Sequence, residues 1–246
     1  MWMIFPLVFL AGFVDSIAGG GGLISLPAYM AVGLPAHMAL GTNKFSSVVG
    51  TGISTVRFVR NGFIQWDAAI YSFIGALLGS TAGSRIAVYV DERILTYFIL
   101  AAVPFIALFL ILKKDFGASD KSLPPARMAV YAALVGLVVG AYDGFFGPGT
   151  GTFLILAFTA QLGLEMLTAC GNAKAVNLAS NIAAALTFIL SGNVNFRIGI
   201  PCALCGVLGN YIGSGLAIKN GTKLVRPMML AVIALLLIKI LWDLLK

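Results

Sequence analysis

The chain has 246 residues, of which 60% are hydrophobic and only 10% carry a charged side chain. Soluble domains average roughly 25% charged residues because their surface faces water, so a soluble enzyme, a secreted module and a disordered chain are excluded. The composition instead predicts an all-α polytopic membrane protein. Its net charge of +7 comes from basic residues near the ends of apolar segments, and no nucleic-acid partner is expected.

Successive apolar segments fill most of the chain, and several approach the ~20 residues that a helix needs to cross a bilayer. They lie at 2–18, 23–33, 36–60, 66–90, 93–112, 126–146, 152–163, 166–191, 197–218 and 225–245. Four consecutive glycines, 19–22, separate the first pair of segments, and the sequence Gly-Pro-Gly-Thr-Gly at 147–151 separates a later pair. The polar stretch 113–125 is predicted to be a cytoplasmic linker between a first membrane repeat, 1–112, and a second, 126–246.

An internal duplication relates these two halves. Aligning the sequence with itself so that Lys44 matches Lys174 also matches several glycines, beginning with Gly33 and Gly163. Upstream, a slightly shorter offset aligns Asp15 with Asp143 and the first glycine break with the second. Shared glycines, acids and lysines in register are not explained by apolar composition alone, so the sequence predicts two homologous halves.

The basic residues predict how the halves are oriented. Residues 113–127, which include the linker, and the loop 219–226 both carry lysines and arginines, which are typical of cytoplasmic loops. Both can be cytoplasmic only if 126–163 enters and leaves by one face, as a hairpin broken at its glycines. Each half is then a Gly-broken helical hairpin plus three transmembrane helices. The second half is predicted to be inverted, with both chain termini on the non-cytoplasmic face.

The two glycine breaks are the first candidate for a binding site. Irregular backbone at membrane depth persists only where it is buried in protein or lines a wet cavity. Amides at the start of the following helix favour an anion, and paired interrupted helices mark the binding sites of transporters. Close helix packing through small residues is the alternative. The predicted amide donors are Gly20, Gly21, Gly22, Gly149, Thr150 and Gly151.

Two lysines occupy equivalent places inside apolar segments. Lys44 lies eight residues beyond Ala36, which is roughly 12 Å along a helix. A lysine at such depth normally faces a cavity or a partner, so Lys44 and Lys174 are predicted to bind an anion. The alternative is that each ammonium snorkels to the membrane interface.

The aligned acids, Asp15 and Asp143, are predicted to couple transport to H⁺ or Na⁺. A static Asp–Lys pair is the main alternative and stays open at this stage. Three further amides are predicted to line the site: Asn43, Asn177 and Asn181. Asn177, Ser180 and Asn181 share one helix face, and for these three residues ordinary interhelical hydrogen bonding is an equally good explanation.

These motifs resemble a known family. Residues 13–24, followed by Gly-Thr-Asn-Lys at 41–44, are similar to the sulfite exporter TauE/SafE family, also called the toluene sulfonate uptake permease family. The second-half signature is present at 143–151 and 173–181. The resemblance covers essentially the whole chain. It implies a secondary transporter of sulfite, organosulfonates or related small organic anions, coupled to a cation gradient.

The sequence therefore predicts a secondary transporter of a small anion in the bacterial inner membrane, with the lipid bilayer as its surroundings. A passive anion channel is the runner-up. An enzyme is disfavoured because the chain has one histidine and neither a metal-ligand cluster nor a Ser/His/Asp set. No cofactor or metal is predicted, the CxxC at 202–205 is expected to pack helices, and homo-oligomer formation is left open.

Overall fold

The computed structural model describes residues 2–95 and 124–231, which are helical apart from short connections. The helices are α1 (Ile4–Ala18), α2 (Gly22–Ala31), α3 (Ala36–Arg60), α4 (Trp66–Tyr89), α5 (Pro125–Phe145), α6 (Thr150–Leu162), α7 (Met166–Leu190) and α8 (Phe196–Asn220). Residues 222–231 are helical as well. The predicted segments agree closely with these bounds. Most of segment 93–112, most of the predicted linker and most of segment 225–245 lie outside the described residues.

Glycines in left-handed backbone conformation end the short helices. Gly19, with φ of 79°, closes α1, and its N–H donates to the Asp15 carbonyl at 2.8 Å. Left-handed φ favours glycine because a Cβ would be strained there. The resulting helices α1, α2 and α6 have 15, 10 and 13 residues and are too short to cross a bilayer core of about 30 Å alone. Among the residues that the structure describes, three helices are long and apolar enough to do so: Arg127–Phe145, Met166–Leu190 and Phe196–Asn220.

The main helix contacts occur twice, with the halves exchanged. Helix α1 packs along α8, and the corresponding helix α5 packs along α4. In the second pair, a Cβ at Gly75, Gly79 or Gly83 would overlap backbone atoms of α5. Gly209 and Gly213 are equally close to the backbone of α1. Small residues at regular spacing therefore let the backbones approach, as in other membrane helix pairs.

The corresponding helices α3 and α7 lie side by side and run in opposite directions. Gly41, near the start of α3, packs against the carbonyl of Asn193, just beyond the end of α7. Gly171, near the start of α7, packs in the same way against the carbonyl of Phe63, just beyond the end of α3. The internal alignment matches Gly41 with Gly171 and Phe63 with Asn193. The two contacts are therefore equivalent, with the roles of the two halves exchanged.

The outer surface of the molecule is far more apolar than that of a soluble protein. Large apolar side chains face outward, among them Leu78, Val138 and Leu204. The interior holds many polar groups, including Lys44 and Lys174. An apolar exterior of this extent requires a lipid environment. The helices and their outer surface are those of a membrane protein.

Candidate functional site

The two glycine breaks meet in the interior of the molecule. Gly19 and Gly151 are so close that a Cβ on either one would overlap the other's backbone. The hydroxyl of Thr152 donates to the carbonyl of Ala18 at 2.8 Å, across the same crossing. The breaks are therefore buried in protein, which is where non-helical backbone at membrane depth can be tolerated.

Two ion pairs flank this crossing, and each joins one half of the chain to the other. The ammonium of Lys44 lies 2.8 Å from Oδ1 of Asp143, and that of Lys174 lies 2.8 Å from Oδ2 of Asp15. The lysine side chains are 3% and 0% exposed, so neither extends to the membrane interface. The Asp–Lys pairing that the sequence left open is present, and it exchanges partners between the halves.

Asp143 is held from several sides. Its Oδ1 accepts from the hydroxyl of Thr150 at 2.8 Å as well as from Lys44, and its Oδ2 accepts from the hydroxyl of Ser180 at 2.5 Å. Gly147, with φ of 98°, lies against this ion pair, and a Cβ there would come within 2.9 Å of the Lys44 nitrogen. Backbone conformation and lack of space thus both require glycine at the second break.

A cavity of about 50 Å³ lies beside the first break. Five of the predicted binding residues line it: Gly21, Gly22, Asn43, Lys44 and Asn181. Both predicted coupling residues, Asp15 and Asp143, line it too. One water needs roughly 10–15 Å³ of such space, so the cavity has room for a few waters or one small anion.

The first break leaves hydrogen-bond donors free. No residue within 2–95 and 124–231 accepts from the backbone amides of Gly21 and Gly22, which lie at the N-terminus of α2. Lys44 also donates to Oδ1 of Asn181 at 3.2 Å, which fixes the ammonium at the cavity wall. Amides at a helix start beside an ammonium form a surface that favours negative charge.

Polar groups around the second break hydrogen-bond to one another. The hydroxyl of Thr150 lies within hydrogen-bond distance of the Gly147 carbonyl and of Oδ1 of Asp143. The hydroxyl of Tyr142 donates to the carbonyl of Pro148 at 2.6 Å. The remaining predicted binding residues do not line the cavity: Gly20, Gly149, Thr150, Gly151, Lys174 and Asn177. Lys174 is paired with Asp15, which does line the cavity.

Polar residues that sequence reasoning missed complete the lining. Asn210 of α8 lines the cavity, accepts from the hydroxyl of Ser54 at 2.7 Å and donates to the Gly206 carbonyl at 2.9 Å. An asparagine within an apolar helix, aligned with Ser80 of the first half, was the available signal. Asn43 is also notable because its buried Oδ1 has no hydrogen-bond partner among the described residues.

Broken helices that meet beside a cavity lined by charged residues are characteristic of membrane transporters. Residues 4–240 match the family described as "Sulfite exporter TauE/SafE", and the chain belongs to that family. It is 36% identical to "Probable membrane transporter protein YfcA" of Escherichia coli K12, over 98% of this chain and 89% of the relative. It is also 36% identical to "Probable membrane transporter protein ORF9" of a Sinorhizobium species, over 98% and 92% of the two chains.

A "Probable membrane transporter protein" of Haemophilus influenzae is 33% identical over 98% of this chain and 94% of the relative. No solved structure gives a significant match. The family and its members make this chain a membrane transporter.

Proposed function

We propose that the protein is a secondary transporter that moves a small anion across the bacterial inner membrane, coupled to H⁺ or Na⁺. The proposed substrates are sulfite, an organosulfonate or a related organosulfur or carboxylate anion. The observation that carries this proposal is that the buried Lys44 and the unpaired helix-start amides of Gly21 and Gly22 line one cavity. Family membership supports the class of substrate, since the family is described as a sulfite exporter.

The chemistry of the lining suits a ligand that must leave again. Lysine presents a compact point charge and lacks the bidentate fork with which arginine holds oxyanions. The amides of Gly21 and Gly22 add directional donors, and the side chains of Asn43 and Asn181 border the same space. Together these groups offer moderate attraction to several oxygens of one small anion.

The exchange symmetry of the fold supports alternating access by two inverted halves. Corresponding helices α3 and α7 run antiparallel, and α1 packs on α8 as α5 packs on α4. Rocking of inverted halves around a central site is a common transport mechanism. We propose that Lys174, Asn177 and the second-break residues Gly149, Thr150 and Gly151 line the site in the opposite-facing state, together with Gly20. Asp15 or Asp143 then carries the coupling ion.

A binding measurement on purified protein tests the proposal. Sulfite, methanesulfonate and acetate are titrated calorimetrically into the detergent-solubilised wild type and into Lys44→Ala. We expect at least one of these anions to bind the wild type and Lys44→Ala to bind it at least tenfold more weakly. The matched control is Lys219→Ala, which removes an exposed lysine at the end of α8 and leaves affinity unchanged. Equal affinity in wild type and Lys44→Ala would contradict the proposed site.

A further inference from the structure

The two acids that the duplication aligns have different surroundings. Asp143 accepts hydrogen bonds from the hydroxyls of Thr150 and Ser180. The aligned positions in the first half are Gly22 and Gly50, which have no side chain to donate. Within residues 2–95 and 124–231, Lys174 is consequently the one hydrogen-bond partner of the Asp15 carboxylate. The Asp15 side chain stays 19% exposed, at the cavity, against 5% for Asp143.

The charges around the cavity balance before any ligand enters. Lys44 and Lys174 contribute two positive charges, and Asp15 and Asp143 contribute two negative ones. A monoanion that enters leaves one negative charge in excess, and an uncompensated charge inside the membrane is strongly unfavourable. One proton taken up by the cavity wall restores neutrality.

The acids differ in the lone pairs that they leave free for that proton. Asp143 accepts three hydrogen bonds and its side chain is 5% exposed, so one lone pair remains, on Oδ2 beside the Ser180 hydroxyl. Oδ1 of Asp15 has no partner among the described residues, and the side chain reaches the cavity. We infer that Asp15 accepts one proton for each monoanion bound, so that transport is electroneutral symport. This inference rests on the proposed function and assigns its coupling step to a single residue.

The step is balanced in atoms and charge. A proton from solution bonds to a free lone pair of Asp15, which becomes a neutral carboxylic acid. Lys174 stays protonated, loses its counter-charge and becomes the positive charge that the bound anion neutralises. The Lys44–Asp143 pair keeps its charges throughout and contributes a fixed ammonium to the wall.

The groups that face Asp15 favour a proton over Na⁺. Helix α7 contributes Lys174, α3 contributes Lys44, and Asp143 of α5 lines the same cavity. The Cys170 thiol of α7 donates to the carbonyl of Ile17. Helices α2 and α8 present uncharged groups there, and α6 contains no titratable residue. Na⁺ bound at Asp15 would lie close to the Lys174 ammonium, which is 2.8 Å from the carboxylate. A covalently bound proton avoids that repulsion.

The test counts protons taken up on binding. Methanesulfonate is the probe because it keeps one negative charge at all working pH values, whereas sulfite changes its own protonation. Its binding enthalpy is measured calorimetrically in two buffers of different ionisation enthalpy, in Na⁺-free medium, which gives the protons bound per anion. We expect one proton for the wild type and none for Asp15→Asn. Wild-type affinity should fall about tenfold per pH unit, and that of Asp15→Asn should not depend on pH.

A second variant covers the case in which Asp15→Asn does not fold because Lys174 loses its partner. Asp15→Asn/Lys174→Gln removes both charges together and should bind methanesulfonate weakly, without proton uptake. Three results would overturn the inference: proton uptake that persists in either Asp15 variant, wild-type binding without proton uptake, or a requirement for Na⁺. None of them would contradict the proposed anion transport. Failure of the wild type to bind any of the tested anions would overturn the proposed function and this inference with it.

Discussion

Lys44 and Asp143 form an ion pair of 2.8 Å although they belong to different halves of the chain and lie on α3 and at the end of α5. In the corresponding pair, the second half supplies the lysine, Lys174, and the first half supplies the acid, Asp15. The lysine of each half is thus neutralised by the acid of the other half. Any rearrangement that moves the halves relative to each other has to strain or exchange these pairs. The proposed anion binding and the proposed alternating access therefore involve the same side chains.

The first prediction separates the stability of the Lys44–Asp143 pair from its role in binding. Lys44→Ala alone leaves Asp143 buried without its cation, which destabilises by roughly 3–5 kcal/mol when the pair is fully buried. Lys44→Met/Asp143→Asn removes both charges and should restore most of the unfolding temperature in detergent without restoring anion binding. A double variant that binds the anion like the wild type would remove the Lys44 charge from the mechanism.

The second prediction concerns the unpaired amide of Asn43. A buried polar atom without a hydrogen bond costs about 1–3 kcal/mol, so Asn43→Ala should leave the empty protein equally stable or more stable. Its affinity for the anion should fall, because the cavity loses a polar group. The control is Asn172→Ala, since Oδ1 of Asn172 also lacks a partner among the described residues but Asn172 does not line the cavity. Equal loss of affinity in both variants would show that Asn43 acts through the fold.

The third prediction concerns the contact between α4 and α5. A Cβ at Gly79 would overlap the backbone carbonyl of Leu137, so Gly79→Ala should force the helices apart and destabilise by about 1–3 kcal/mol. Leu78→Ala is the control on the adjacent residue, whose side chain is 65% exposed on the lipid-facing side. Thermal unfolding in detergent compares them. A larger loss for Leu78→Ala would contradict the assigned faces of α4.

The helices and the breaks were predictable because they depend on local sequence. Apolar runs located the helices closely, and the runs of glycine around 19–22 and 147–151 located both breaks. The alignment of Lys44 with Lys174 identified the buried lysines as a matched pair. Each of these signals is present in the chain itself and needs no knowledge of which helices touch.

The pairing of charges and the placement of the cavity were not predictable in the same way. Lys44 pairs with Asp143 because of the way the two halves pack against each other. No local sequence pattern predicts that packing. The symmetric site expected from the duplication is asymmetric in the structure, because Thr150 and Ser180 have hydroxyls where Gly22 and Gly50 have none. The sequence shows that Gly22 and Gly50 have no hydroxyl, but only the structure shows that Asp15 consequently has fewer hydrogen-bond donors than Asp143.

The fourth prediction tests the inverted arrangement of the halves. Asn61 and Ser191 are aligned by the duplication, and both are exposed in the turns that follow α3 and α7. In a background without Cys170, Cys202 and Cys205, single cysteines at these positions are labelled with a membrane-impermeant maleimide in intact cells and in inside-out vesicles. Inverted halves predict labelling of position 61 from the cytoplasmic side and of position 191 from the opposite side. Labelling of both from one side would indicate parallel repeats.

The most direct test of the account is concentrative uptake into proteoliposomes that contain the purified protein and an imposed pH gradient without Na⁺. Sulfite or methanesulfonate should accumulate above its external concentration in the wild type, and accumulation should vanish in Lys44→Met/Asp143→Asn. A matched preparation of Lys219→Ala should accumulate like the wild type. Uptake that only equilibrates the anion, follows the membrane potential and ignores the pH gradient would contradict the account and identify a passive anion channel.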